Sequence, residues 1–234
     1  MQFTVTLAEL NGRLIDAWND AFAGEGAVQV VHDSMLRQQA DAWVTPTNAR
    51  ATMDGGFDAV VRRYLGDGIQ QRVKREVRVR FGGSVPVGCA ACAPTDGLVA
   101  PPGGPLPKFL ISSPTMGGSA ECVRGTLNVA LAFGAALQAA AQQNRQVPGS
   151  IRSLALPGLG SSTGRVPAED VAVQMRLAYE VLRRQEFFDF AAMREAILER
   201  LGGRSFIRFS PGAATAKIQV QTPRGRRKRL FGWF

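Results

Sequence analysis

Residues 42–58 constrain the fold of this 234-residue chain more than any other stretch: Ala-Trp-Val-Thr-Pro-Thr-Asn-Ala-Arg-Ala-Thr-Met-Asp-Gly-Gly-Phe-Asp. Ala42, Trp43, Val44 and Thr45 form a short apolar and β-branched run, as a buried strand requires. Pro46 cannot donate to a ladder, so it is expected to end that strand. Asp58 reads as the N-cap of a helix whose apolar side begins with Val61, Tyr64 and Leu65. Gly55 and Gly56, just ahead of it, let the backbone approach a ligand with no Cβ in the way. A helix start behind two glycines is a natural anion site.

A second stretch has the same design. Residues 151–167 read Ile-Arg-Ser-Leu-Ala-Leu-Pro-Gly-Leu-Gly-Ser-Ser-Thr-Gly-Arg-Val-Pro, a strand, a loop and the proline of a helix start. Gly160, Ser161, Ser162, Thr163 and Gly164 offer successive backbone N–H groups and three hydroxyls, enough to wrap a diphosphate.

The rest of the pattern alternates strands with helices, which implies an α/β layer fold. Strands are expected at 3–7, 27–31, 85–91, 108–113 and 153–156. Helices are expected at 8–22, with Leu10, Leu14, Ala17 and Ala21 on one face, and at 58–65, 68–80, 127–144, 167–183 and 190–201. Neighbouring strands in the first half favour a mixed, mostly parallel sheet over a purely parallel one. The helix at 68–80 is strongly basic (Arg72, Lys74, Arg75, Arg78, Arg80), for which a solvated face is the plain reading. Residues 127–144 carry no charge but contain Asn128, Gln138, Gln142 and Gln143, so they read as a buried helix and no transmembrane segment is expected.

Charge is distributed unevenly. Eight Lys or Arg and no acid lie between 201 and 234, so the remainder carries only about +1 of the net +9. Arg224, Arg226, Arg227, Lys228 and Arg229 form a run that can meet nucleic-acid phosphates or an acidic surface, followed by Leu230, Phe231, Trp233 and Phe234. A hairpin over 205–209 and 216–221 would precede it. The expected division is an α/β domain over 1–184 and a small basic extension over 185–234.

The three cysteines, an odd number with no leader-like start, favour free thiols and a reducing, cytoplasmic setting, or a host cell's interior for a viral chain. Cys89 and Cys92 on a strand would face opposite ways, and no second pair completes a metal site. His32 is the sole histidine, which argues against a Ser-His-Asp site. Neither metal nor cofactor is expected.

The two loops resemble those of the macrodomain family, which binds ADP-ribose. The family's first loop is a strand ending in Asn-Ala-Ala-Asn, then a spacer, a glycine run, an apolar residue and often Asp. Here Thr45-Pro46-Thr47-Asn48 keeps the last Asn, and Met53 to Asp58 takes the place of the rest. The second loop is similar to the family's Pro-Ala-Leu-Gly-Thr-Gly followed by an aromatic and Pro, with Pro157 leading, Ser162 for a Gly and Val166 for the aromatic.

The resemblance covers roughly residues 27–184 and implies a three-layer α/β/α sandwich. It implies that Asp33 accepts from the adenine amino group with Ser34 beside it. His32 stands where the family has Gly. It also implies that Gly55, Gly56, Phe57, Pro157, Gly160, Ser161, Ser162, Thr163, Gly164 and Val166 line the ligand. Asn48 and Asp58 would be catalytic, holding the distal ribose and activating a water. Asp54, mostly Gly in the family, would raise the Asp58 pKa and repel a further phosphate.

The implied activity is removal of ADP-ribose from an acidic side chain, or cleavage of a related ester, with ADP-ribose or an ADP-ribosylated protein as partner. A non-catalytic reader of ADP-ribose, or a nucleic-acid module using the basic tail, remains the alternative.

Overall fold

Six strands form one mixed sheet in the computed structural model, which describes residues 3–202. In chain order they are β1 (Thr4–Ala8), β2 (Val28–Val31), β3 (Ala42–Asn48), β4 (Ala91–Pro94), β5 (Phe109–Met116) and β6 (Ser153–Leu156). Across the sheet they lie β2-β1-β6-β3-β5-β4, all parallel to their neighbours except β4, which runs antiparallel on β5. The helices are α1 (Gly12–Ala21), α2 (Gly56–Leu65), α3 (Gly68–Phe81), α4 (Asn128–Gln146), α5 (Ala168–Arg184) and α6 (Phe190–Gly202). The expected hairpin at 205–209 and 216–221, and the basic run from Arg224 to Arg229, lie outside the described residues.

Alternation along the central strands builds the three layers. Ala42, Val44, Ile111, Leu154 and Leu156 enter one apolar cluster with α1, α4, α5 and α6. Trp43, Leu110 and Ala155 enter another with α2 and α3. Helix α4 is the centre of the first layer, every residue from Asn128 to Ala140 being buried. That accounts for the absence of charge before Arg145, in its last turn. Among the described residues no helix is long and apolar enough to cross a membrane. Helix α6 closes this layer: Met193 and Ile197 are fully buried and meet α4 at Gly134, where a Cβ would lie 2.4 Å from the Ile197 methyl.

Several local expectations are corrected. Pro46 does not end β3, which runs on to Asn48. The pairing of β3 with β6 covers only Ala42 and Trp43, so beyond Trp43 one side of β3 has no ladder for a proline to interrupt. Asp58 is not an N-cap: Gly55 occupies that place and Asp58 sits in the first turn of α2. Strand β2 is a half-buried edge rather than a buried strand. Residues 85–90 form turns, and strand pairing starts only at Ala91. Leu10 precedes α1, whose cap is Asn11, and is exposed. Pro167 caps α5 rather than entering its first turn. Cys89 and Cys92 do fall in opposite core clusters, and burial raises both thiols, Cys92 to about 12.

Because Ile197 joins the α4 layer, Ile197→Ala is expected to destabilise the whole fold by about 3 kcal/mol. Denaturant unfolding should show one transition at a lower midpoint. A second, separate transition would mean that α6 unfolds on its own.

Candidate functional site

Strands β6, β3 and β5 are neighbours and parallel, so the segments leaving their carboxyl ends meet on one side of the sheet. Between them lies a cleft of about 460 Å³. Its lining includes Asn48, Gly55, Gly56, Phe57 and Asp58 from the first loop and Pro157, Gly160, Ser161, Ser162, Thr163 and Gly164 from the second. The loops approach closely: a Cβ placed on Gly56 would lie 3.7 Å from the Thr163 hydroxyl.

The second loop is closed on itself. Gly160 has φ +72°, and its carbonyl accepts from the Val166 N–H at 3.1 Å. A Cβ on Gly164 would stand 2.6 Å from that same carbonyl oxygen, so no side chain fits there. The Gly164 carbonyl accepts from the Val123 N–H at 2.9 Å. Glu9, at the end of β1, accepts from the Gly158 N–H at 3.2 Å through one oxygen and from the Leu10 N–H at 2.8 Å through the other. It therefore ties this loop to the sheet.

The first loop is strained. Ala51 and Met53 have φ of +49° and +48°, a region that costs a residue with a Cβ of order 1–2 kcal/mol. Both side chains are fully buried in the α2–α3 cluster, which holds them there. Between them, Thr52 receives the Asn48 amide N–H at 2.7 Å and donates its hydroxyl to Asp54 at 2.7 Å. The Asn48 carbonyl oxygen accepts from the Arg50 N–H at 3.0 Å. Gln70 of α3 donates to the Thr52 carbonyl. The Asn48 carboxamide is thus turned mainly toward its own loop.

Asp58 lies at the floor of the cleft, 5% exposed, with Oδ1 accepting the Thr45 hydroxyl at 2.7 Å. Burial pushes its pKa up to about 7. The Thr45 hydrogen bond opposes that rise, and the charge of Asp54 adds to it. The expected influence of Asp54 is present, but desolvation is the larger cause. A carboxyl poised there can take a proton near neutrality.

Three expected site residues lie outside the cleft lining. Asp33 accepts from the Ser34 N–H at 2.7 Å and pairs with Arg37 at 3.5 Å, and Ser34 caps the 3-10 turn Met35–Arg37. Val166 is buried in the α1–α4–α5 core. Glu9, Pro46, Thr47, Val60, Ala120 and Gly158 line the cleft without having been expected there. So do Thr115 and Met116, which close β5 near where the resemblance puts the distal ribose. Thr115 and Met116 were legible because they lie at the carboxyl end of a parallel strand. Glu9 gave no such signal, because its role depends on a residue 149 positions away. Among the described residues no group of three or more His, Cys, Asp or Glu is arranged to hold a metal.

The sequence matches a family model, the Macro domain, over residues 44–175. A protein of Aeropyrum pernix, described as uncharacterized, is 29% identical over 161 residues, covering 68% of this chain and 74% of that one. One from Aquifex aeolicus, described in the same way, is 28% identical over 159 residues, 68% of this chain and 82% of that one. Among solved structures, an Oceanobacillus iheyensis macrodomain with MES bound superposes with a TM-score of 0.50 at 13% identity, over 73% of this chain and 89% of that one. At that identity the likeness is one of fold.

The Asp58 environment predicts a pH signature. Its folded pKa of about 7 exceeds the ordinary 3.8, so the folded chain holds the proton more tightly. The contribution to stability is complete below pH 3.8, falls by at most about 1.4 kcal/mol per pH unit above that, and levels off past about 7. Asp58→Asn removes that loss. Thermal melts of both proteins should diverge in the variant's favour from pH 4 to 7 and then run parallel. A constant difference across that range would refute the buried, protonated carboxyl.

Proposed function

This chain belongs to the macrodomain family, and from that premise we propose that its cleft binds ADP-ribose and hydrolyses ADP-ribosyl esters, whether on an acidic protein side chain or on a small acyl group. The observation that supports this most directly is that both glycine loops line one cleft with the buried Asp58 carboxyl at its floor. In this reading the backbone N–H groups of residues 160–164 cradle the diphosphate, a preformed concavity of the kind that binds anions well. The distal ribose lies toward Asn48, Asp54 and Asp58.

Asp58 acts on water. With Oδ1 held by Thr45, the other carboxylate oxygen takes a proton as the water attacks, at the anomeric carbon or at the ester carbonyl. A carboxyl titrating at about 7 is partly ionised at neutral pH, which suits a general base. Asn48 has one amide hydrogen beyond the one given to Thr52, and that hydrogen serves the ribose hydroxyls. Asp54 is exposed at the same end, so a distal ribose bearing an extra phosphate is disfavoured relative to a neutral one.

A second reading is a non-catalytic reader of ADP-ribose. The engagement of the Asn48 carboxamide with Thr52 and Arg50 favours it, because it leaves less of that side chain for the substrate.

The test separates binding from chemistry. Calorimetric titration should give ADP-ribose binding that Asp58→Ala keeps within about threefold, while hydrolysis of a mono-ADP-ribosylated acidic substrate falls by roughly 100-fold or more. Binding by the unaltered protein without product release would select the reader. Unchanged turnover in Asp58→Ala would remove Asp58 from the mechanism, and absence of ADP-ribose binding would overturn the proposal.

A further inference from the structure

We propose that the outward face of α3 is a docking surface for the phosphate backbone of a nucleic acid. Ile69, Val73 and Val77 fix the inner side of this helix, all three buried against the sheet. At 100° per residue the opposite side is Gln71, Lys74, Arg75 and Arg78, and all four are exposed. Positions three and four apart on a helix are neighbours, with about 5–6 Å between Cβ atoms. The three cations therefore form one continuous patch rather than scattered charges.

Within α3 the three outward cations also differ from the other charged side chains of the helix in having no partner among the described residues. The acid of α3, Glu76, is held by Arg80 at 3.2 Å. Arg72 donates to the Pro94 carbonyl at 3.2 Å, bracing the helix on β4. The side chains of Lys74, Arg75 and Arg78 enter no ion pair or hydrogen bond among the described residues. Some basic side chains at the surface find carboxylates, such as Arg62 with Asp67 at 2.7 Å and Lys108 with Asp41 at 2.8 Å. Others, such as Arg63 and Arg124, are unpaired one by one among the described residues. What sets α3 apart is that three unpaired cations are neighbours on one helix face.

The arrangement also works against the helix itself. Lys74 and Arg78, four apart, and Arg75 and Arg78, three apart, are like-charge neighbours, each pair costing an isolated helix a few tenths of a kcal/mol. Attraction to the helix dipole accounts for Arg78 in the last turn, but it fades within one turn and leaves Lys74 and Arg75 unexplained. A polyanion lying along the helix turns this repulsion into attraction.

The shape of the patch selects among polyanions. A membrane-surface helix pairs its cations with Trp, Phe or Leu that enter the lipid. The outer side of α3 exposes one large apolar residue, Val79, and no aromatic. A phosphodiester backbone requires no such wedge, because charge neutralisation and counterion release carry the affinity.

The test uses the full chain, so that the basic residues after 202 act equally in every variant. Binding of a fluorescein-labelled 20-mer DNA duplex is followed by anisotropy across a range of salt concentrations. Lys74→Gln, Arg75→Gln and Arg78→Gln together should weaken binding roughly tenfold or more at 0.1 M salt. They should reduce the slope of log K against log salt by about 2 to 3, close to 0.9 per lost phosphate contact. The charge-conserving set Lys74→Arg, Arg75→Lys and Arg78→Lys should keep both. Thermal melts and ADP-ribose titration confirm that the fold and the cleft are intact. An unchanged slope in the neutralised protein overturns the proposal. So does unaltered duplex binding with lost sedimentation on phosphatidylserine vesicles, which would assign the face to membranes.

Discussion

The parallel alignment of β6, β3 and β5 is the constraint on which everything else rests. Parallel neighbours end on the same side, so each strand delivers its loop to a common place. The chain leaves β3 and β6 about a hundred residues apart in sequence, yet their two glycine loops face each other across one cleft. The β3–β5 ladder adds a local detail. Its register shifts between Thr47 and Asn48, leaving Thr115 unmatched. A bulge at a strand end bends the chain and re-aims the residues beyond it. Here it lies where β3 passes into the first loop and where Thr115 and Met116 join the cleft wall.

The site concentrates its costs on one side of that cleft. Asp58 is desolvated enough to titrate near 7, and the neighbouring Asp54 makes its ionisation harder still. Ala51 and Met53 sit in a left-handed backbone region where glycine would be at ease. These features hold together because the loop is fastened from below. Two fully buried side chains enter the α2–α3 core, and Gln70 reaches the Thr52 carbonyl. The unfavourable backbone and the unfavourable charge are thereby offset by packing some distance from the cleft, the pattern expected of strain kept at a functional site.

Legibility in the sequence tracks the range of each interaction. The layer fold, the strand 153–156 and both glycine loops depend on local pattern and were legible. Pro46 misled because its tolerance depends on where β6 stops pairing with β3, a fact that no window around residue 46 contains. Asp58 looked like a cap because capping is a local habit of Asp. Gly55 takes that role, and Asp58 is drawn down to Thr45, 13 residues earlier. Asn48 appeared free for a ligand, whereas the positive φ of Ala51 and Met53 folds the loop back so that Thr52 meets it. Strand 85–91 failed on a different ground: its apolar residues up to Ala90 are buried, but in a turn-containing segment that divides between the two core clusters, so hydrophobicity alone did not distinguish strand from covered turn.

The second loop differs from the first in how it reaches its shape. Its turn is made by Gly160, its closure by the Val166 and Val123 N–H groups, and its tether by Glu9, so its geometry needs nothing from a ligand. Ordering a flexible loop on association would subtract from affinity, and a loop already ordered avoids that loss. Substituting Ser162 for glycine is tolerated for the same reason. Gly160 and Gly164 carry the positions where a Cβ would collide, while Ser162 is exposed and free of that constraint. Val166 belongs to this economy too. Where the resemblance implies an aromatic over the ligand, this chain buries a valine whose N–H closes the loop. At that end the loop therefore offers the cleft its backbone groups and the hydroxyls of Ser161, Ser162 and Thr163, and no aromatic face.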